Sequence, residues 1–306
     1  MTAPFGGLPP DPAIHGIWRA YYLLVITQTM YKILACFTLG SFAAFAALPD
    51  GNALMARSVK TTELNWAAAP NYAFLETDIK SRHGSEPTKK TSEVMMIDGS
   101  PYERTIALNG QPLSPAQQRA EESKLQKETA IRLHESSRAR RKRIAAYMAD
   151  RERDHAMLNE LSRAFDYTVV GEDRKDSRRV WVLRGVPKPG YTPANRETKV
   201  MAGMVVNFWI DQNTYQWVRV EAEVKKPVSI YGLAKVGVGT KFILEQEPIS
   251  PNLWLPKRFQ VDVRASALGF LNEDSNREEI YTDYRPRIST ASETQEHRNL
   301  AGSAAR

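Results

Sequence analysis

Residues 204–224 read MVVNFWIDQNTYQWVRVEAEV, and this stretch decides the fold. Met204, Val206, Phe208 and Ile210 alternate with Val205, Asn207 and Trp209. Beyond Asp211-Gln212-Asn213-Thr214, the residues Val218, Val220, Ala222 and Val224 alternate with Trp217, Arg219, Glu221 and Glu223. A period of two on both sides of an Asx-rich turn predicts two antiparallel strands. Each strand has one apolar side and one mixed side, so the hairpin buries the first and wets the second.

The same pattern extends in both directions. Upstream, Tyr167–Gly171 and Arg179–Val186 read as strands, followed by a loop at Lys188–Pro193 and a short helical turn over Glu197–Met201. Downstream, strands are expected at Lys241–Glu247, Leu253–Ala265 and Glu278–Tyr284. Nearer the start, Asn71–Arg82 sets Leu75, Thr77 and Ile79 against Phe74, Glu76 and Asp78. Lys89–Ile97 and Tyr102–Leu108 flank Asp98-Gly99-Ser100-Pro101, and Asn109-Gly110 is a strong turn dipeptide. The sum is one large antiparallel sheet.

One long insertion breaks the strand text. Ser114-Pro115-Ala116-Gln117 has the cap, the first-turn proline and the third-position glutamine of a helix start. Helical composition continues to Phe165, thinly striped at Ala120, Leu125 and Ile131. A fuller stripe follows at Ile144, Tyr147, Met148, Leu158, Leu161 and Phe165. The second half therefore packs on the sheet and the first half stays solvated. Residues 47–70 read as a connector holding a short helix over Ser58–Asn65, and residues 71–288 as the domain that carries the 114–165 insertion. The last stretch, 289–306, is almost free of apolar residues and is expected to be disordered.

The first 46 residues have a different character. From Met30 the text is MYKILACFTLGSFAAFAALPDG, with Lys32 before an uncharged run and Ala44-Phe45-Ala46 at its end. This matches a secretory signal peptide cleaved after Ala46, with translation starting at Met30 and residues 1–29 as an upstream extension. The uncharged run of about 16 residues is short of the roughly 20 that a spanning helix needs. An uncleaved N-terminal anchor is the alternative, and Ile33-Leu34-Ala35-Cys36 also has the form of a lipobox. Export to the periplasm or beyond is the expectation.

Composition narrows the function classes. The chain has 306 residues, a formal charge of +7 and one cysteine, Cys36, so it has no disulfide framework and no cysteine metal site. Its five histidines are scattered without ligand spacing. No nucleophile elbow, phosphate loop or zinc-type histidine pair occurs. Gly237-Val238-Gly239 lacks the rest of a dinucleotide fingerprint, and His134-Glu135 has no second histidine at the right spacing. His155 reads as a half-exposed helix residue, and Glu221, Glu223 and Asp262 as solvated or ion-paired carboxylates on strand faces. Neither catalysis nor a cofactor is expected.

Two constellations remain. One is the basic run Arg138, Arg140, Arg141, Lys142 and Arg143, which fits anionic headgroups of a membrane surface or a solvated helix face paired with acids such as Asp150 and Glu152. An exported chain does not meet nucleic acid, so no nucleic-acid partner is expected. The other is an apolar sheet face made by Leu75, Ile79, Val182, Val206, Phe208, Ile210, Val218, Val220, Val224, Phe242, Leu244, Phe259 and Val261. Such a face is covered by helices as an ordinary core or filled by an apolar ligand.

Several segments then line up in order. Val180-Trp181-Val182-Leu183-Arg184-Gly185-Val186-Pro187-Lys188 precedes Phe208-Trp209-Ile210-Asp211-Gln212-Asn213-Thr214-Tyr215-Gln216-Trp217-Val218-Arg219-Val220, and Leu253-Trp254-Leu255-Pro256-Lys257-Arg258-Phe259 follows. This succession resembles the outer-membrane lipoprotein-sorting family, the LolA/LolB-like carriers. The chain also resembles exported bacterial proteins of about this length that share the Asn109-Gly110 entry, the charged insertion and the Tyr215-Gln216-Trp217-Val218 strand. The resemblance covers about 71–287, most closely 167–287, and the 114–165 insertion departs from the shorter lid helices of typical carriers. It implies an α+β fold: a curved antiparallel sheet of about 9–11 strands, an incomplete barrel lidded by helices, whose concavity holds the acyl chain of a lipid or lipoprotein. It implies no catalytic residue. The alternative function is an envelope interaction or sensor module that uses the basic helix 138–143.

Overall fold

The computed structural model describes residues 48–82, 85–195, 197–229, 234–267, 271–272 and 275–287. The signal-peptide region at 30–46 and the tail at 289–306 lie outside them.

The fold is α+β. Three α-helices are described: α1 (Gly51–Ala68), α2 (Pro115–His134) and α3 (Ser137–Ala164). The strands in the first half are β1 (Tyr72–Arg82), β2 (Thr88–Ile97), β3 (Ser100–Leu108), β4 (Gln111–Pro112), β5 (Phe165–Lys175) and β6 (Arg178–Pro187). Next come β7 (Met204–Asp211), β8 (Trp217–Val224), β9 (Val228–Ser229) and β10 (Ala234–Val236). The last are β11 (Lys241–Ser250), β12 (Leu253–Val263), β13 (Ala265–Ala267), β14 (Leu271–Asn272) and β15 (Ser275–Pro286). Eleven strands form one open antiparallel sheet in the order β4-β3-β2-β1-β15-β12-β11-β8-β7-β6-β5, and β14-β13-β10-β9 form a small second sheet. The large sheet is not closed into a barrel.

Turn chemistry sets the hairpins. Asp98-Gly99, Asn109-Gly110 and Asp176-Ser177 each put two consecutive residues at positive φ. That backbone twist matches the flanking strands and favours these small polar residues. At the tip between β7 and β8, Asp211 Oδ1 accepts from the backbone N–H groups of Asn213 (3.0 Å) and Thr214 (2.8 Å), an Asx turn. Tyr215 there sits at φ 61°, which is costly for an aromatic residue. Helix α1 holds it in place: Ser58 Oγ donates to Tyr215 O at 2.7 Å, and the Arg57 guanidinium lies 3.7 Å above the ring.

Helix α1 is a core element where a connector with a shorter helix is expected. Asp50 caps it by accepting from Asn52 and Ala53 N–H. Leu54, Met55 and Val59 on its inner side are buried in the main core, and Gly51 packs on Tyr167 O so closely that a Cβ would sit 2.4 Å away. Further along the same side, Asn65 Nδ2 donates to Gln216 Oε1 at 2.6 Å, and its Oδ1 accepts from Trp254 N–H at 3.1 Å.

The main core lies between α1, the end of α3, the 3-10 turn Glu197–Gly203 and strands β5 to β8. Phe165, Leu183, Phe208, Ile210 and Val224 are fully buried there.

Helix α2 starts with the expected capping box between Ser114 and Gln117. It flanks the part of the β3 edge that the short β4 leaves unpaired, where Glu121 Oε2 accepts from Thr105 N–H at 3.3 Å. That satisfies an edge donor and screens the edge from another chain.

Candidate functional site

Directly opposed residues in an antiparallel ladder share a face, so register alone assigns each side chain to a side of the sheet. We call the side of Phe208 the inner face. One row of opposed residues crosses nearly the whole sheet: Val169, Leu183, Phe208, Val220, Leu244, Phe259, Glu279, Asp78, Lys90. The next row runs Val206, Ala222, Phe242, Val261, Arg277, Lys80. The inner face is therefore fully apolar from β5 to β8, apolar and partly exposed on β11 and β12, and charged on β15 and β1.

Most, but not all, of the thirteen expected apolar residues share that face. Val206, Phe208, Ile210 and Val224 are buried in the main core, with Val220, Phe242 and Leu244 packed against it. Phe259 and Val261 continue the inner face outward and stay partly exposed. The other four point the other way. Val182 opposes Trp209, Leu75 opposes Glu93, and Ile79 opposes Glu278, all on the outer face. Val218 is the extra residue of a bulge at Trp209/Ile210, so Trp217 replaces it inside. Val218 instead packs with Val180, Trp254 and Trp209 in a second small cluster.

The charged end of the inner face follows from the pairing of β15 with β1 and β12. Asp78 accepts from Arg277 Nε at 3.0 Å and lies 2.8 Å from Lys80 Nζ. Burial raises its carboxyl, but these two cations outweigh it and hold the group below its usual range. Glu279 receives Arg277 at 2.9 Å and the Tyr281 hydroxyl. Burial and then Glu279 push the Tyr281 hydroxyl far up. Glu103 meets Lys90 at 3.2 Å. Glu76, opposed to Tyr281 on one side and Ser92 on the other, has its carboxyl pushed up to about 7 by burial and then by Glu279, Glu103 and Asp78. The alternation of β1 shows that Phe74, Glu76 and Asp78 share one side, but only the pairing with β15 shows that it is the inner one.

The outer face is laced with cross-strand ion pairs. Arg258 meets Glu278 at 2.5 Å, and Arg104 meets Glu93 at 2.5 Å. Arg219 joins Glu221 and Glu245.

The basic run of α3 divides in two. Arg140 pairs with Asp98 at 2.8 Å, and Arg143 pairs with Asp98 and Glu135 and donates to Ser100 Oγ at 2.7 Å. Arg132 of α2, which the sequence did not single out, is buried and donates to Ile97 O and Ser100 O. Together these arginines fasten the α2–α3 corner onto the turn between β2 and β3. Arg138, Arg141 and Lys142 are exposed.

No family model matches the sequence, and no curated protein matches it. Solved structures do align with it. A domain assigned to outer-membrane lipoprotein sorting from Vibrio parahaemolyticus is 11% identical and covers 80% of this chain and 98% of its own, with a TM-score of 0.34. A DUF1329 family protein from Desulfovibrio piger is 13% identical over 80% of this chain and 96% of its own, at 0.33. A LolA superfamily protein from Nitrosomonas europaea is 9% identical over 80% and 97%, at 0.32.

Proposed function

We propose that this chain is an exported carrier of the cell envelope that holds the acyl chain of a lipid or lipoprotein on the inner face of its sheet, without catalysis. The observation that carries this reading is the continuation of the inner face beyond the core. Val220, Phe242, Leu244, Phe259 and Val261 form a patch of opposed apolar residues that remains partly exposed where the main core ends. Partly exposed Phe and Leu side chains gathered on the helix-covered side of an open sheet suit an alkyl chain, which removes more of their surface from water at about 25 cal/mol per Å². The outer face is crossed by ion pairs, and its Val180, Val218 and Trp254 cluster is buried.

Uptake of a fluorescent fatty acid by the wild type, Phe259→Asp and Leu75→Asp tests the assignment. Phe259→Asp abolishes uptake and Leu75→Asp, on the outer face, leaves it intact. Equal uptake by both variants would overturn the reading. Export is tested by the mass of the mature N-terminus, which begins at Ala47 if the signal peptide is removed. The basic helix is the weaker reading, because Arg140 and Arg143 are already occupied within the fold.

A further inference from the structure

The charged end of the inner face is unevenly matched. Four carboxylates gather there: Glu76, Asp78, Glu103 and Glu279. Asp78 has Arg277 and Lys80, Glu279 has Arg277 and the Tyr281 hydroxyl, and Glu103 has Lys90. Glu76 makes no direct hydrogen bond or ion pair among the described residues, and Arg277 attracts it only at longer range. Beside it, directly opposed on β2, Ser92 is 2% exposed and its Oγ also lacks a hydrogen-bond partner. Buried hydroxyls are nearly always paired, so an orphan next to an unpaired carboxylate marks a place made for a donor. Cα atoms of directly opposed residues lie about 4.5–5.5 Å apart, close enough for one small donor group to reach both side chains.

That place adjoins the apolar patch. Leu244, Phe259 and Glu279 are consecutive in one row, and Tyr281 opposes Glu76 two residues further along β15. From β11 to β1 there are three strand spacings, about 14 Å, along which the surface changes from apolar to acidic. We propose that Glu76 and Ser92 form the polar end of the ligand site and receive a primary ammonium group, so that the ligand is an amphiphile with an alkyl tail and an amine head. An ammonium has three donors in a compact head, which suits a carboxylate and a hydroxyl side by side. It also supplies the one cation that the four carboxylates lack.

The groups facing Glu76 are Glu279, Arg277, Tyr281 and Tyr284 on β15, Asp78 on its own strand, Ser92 and Lys90 on β2, and Glu103 on β3. Burial first, and then the three acids Glu279, Glu103 and Asp78, keep the Glu76 carboxyl protonated until near neutrality, and a bound ammonium opposes both. Ligand binding should therefore release a proton from the site at slightly acid pH.

This inference rests on the apolar-face reading, and the test separates the two. Binding of decylamine, decanol and decanoate is measured by calorimetry on the full chain, for the wild type, Glu76→Gln and Ser92→Ala. Decylamine should bind at least about tenfold tighter than decanol at about pH 8. That preference should shrink below about threefold in Glu76→Gln, and in the wild type at about pH 5, where the carboxyl is neutral. Ser92→Ala should weaken decylamine and leave decanol unchanged. Equal binding of decylamine and decanol by the wild type, or an undiminished preference in Glu76→Gln, overturns the ammonium site and leaves the apolar face standing. Binding of none of the three removes both.

Discussion

Glu76→Gln keeps the side chain's shape and removes a charge that the fold holds at a disadvantage. Burial, then Glu279, Glu103 and Asp78, raise the carboxyl from 4.5 to about 7. For an acid, a folded-state value above the unfolded one means that the folded chain keeps its proton longer. The cost is therefore absent below about pH 4.5, grows as pH rises toward about 7, and is constant above. At 1.36 kcal/mol per pH unit this interval sets a ceiling of about 3.4 kcal/mol. Glu76 is partly exposed, so solvent screening reduces the ceiling to about 1.5 kcal/mol. Thermal unfolding followed by circular dichroism at about pH 8 should show the variant melting about 3–6 °C above the wild type. At about pH 4.5 the two curves should coincide to within about 1 °C. A variant that is no more stable at the higher pH, or that gains equally at both, would refute the placement of Glu76 among three carboxylates.

Asp78→Asn should act with the opposite sign. Its carboxyl is held low by Arg277 and Lys80, so its stabilisation is present above the ordinary carboxylate range and is lost as pH falls through the lowered folded value. The variant is expected to lose about 1–2 kcal/mol at neutral pH, read by urea unfolding, and to match the wild type in strong acid. Phe208→Ala empties a fully buried site between Tyr167 and Trp217 and should cost about 3–5 kcal/mol by the same assay. Arg143→Met unfastens the α2–α3 corner from the turn at Asp98. Limited proteolysis should then cut between residues 130 and 140 faster, while fatty-acid uptake stays unchanged. Ser114→Ala removes the capping box and should speed amide exchange at Gln117 and Gln118, with a cost of about 1 kcal/mol confined to α2.

Strand text made most of the large sheet legible. The hairpin at 204–224, its Asx turn and the alternation of β1, β2, β3, β6, β11 and β12 are all short-range signals, and each has its predicted counterpart. The capping box at Ser114 is equally local. What escaped depends on partners distant in sequence. Helix α1 has a weakly apolar buried side, with Ser58, Thr62 and Asn65 where a hydrophobic stripe would be looked for. Ser58 and Asn65 bond the tip at Tyr215 and Gln216, about 150 residues away in sequence, while the Thr62 hydroxyl donates back to Ser58 O within the helix. The facing of β1 is hidden from the sequence for a related reason. Leu75 and Ile79 are the apolar members of their strand, yet pairing with β15 places Glu76 and Asp78 on the inner face. Val218 fits the alternation perfectly on paper and is moved to the other side by one bulged residue. The acidic end of the candidate site was therefore invisible until the register was known, while its apolar end was readable from Phe242, Leu244 and Phe259.

Native mass spectrometry of the mature protein, purified from the envelope that produces it and then extracted under denaturing conditions, tests the central claim most directly. The account predicts a bound acyl species that leaves on denaturation and is absent from Phe259→Asp. A ligand-free mass, together with no uptake from added lipid, would contradict it.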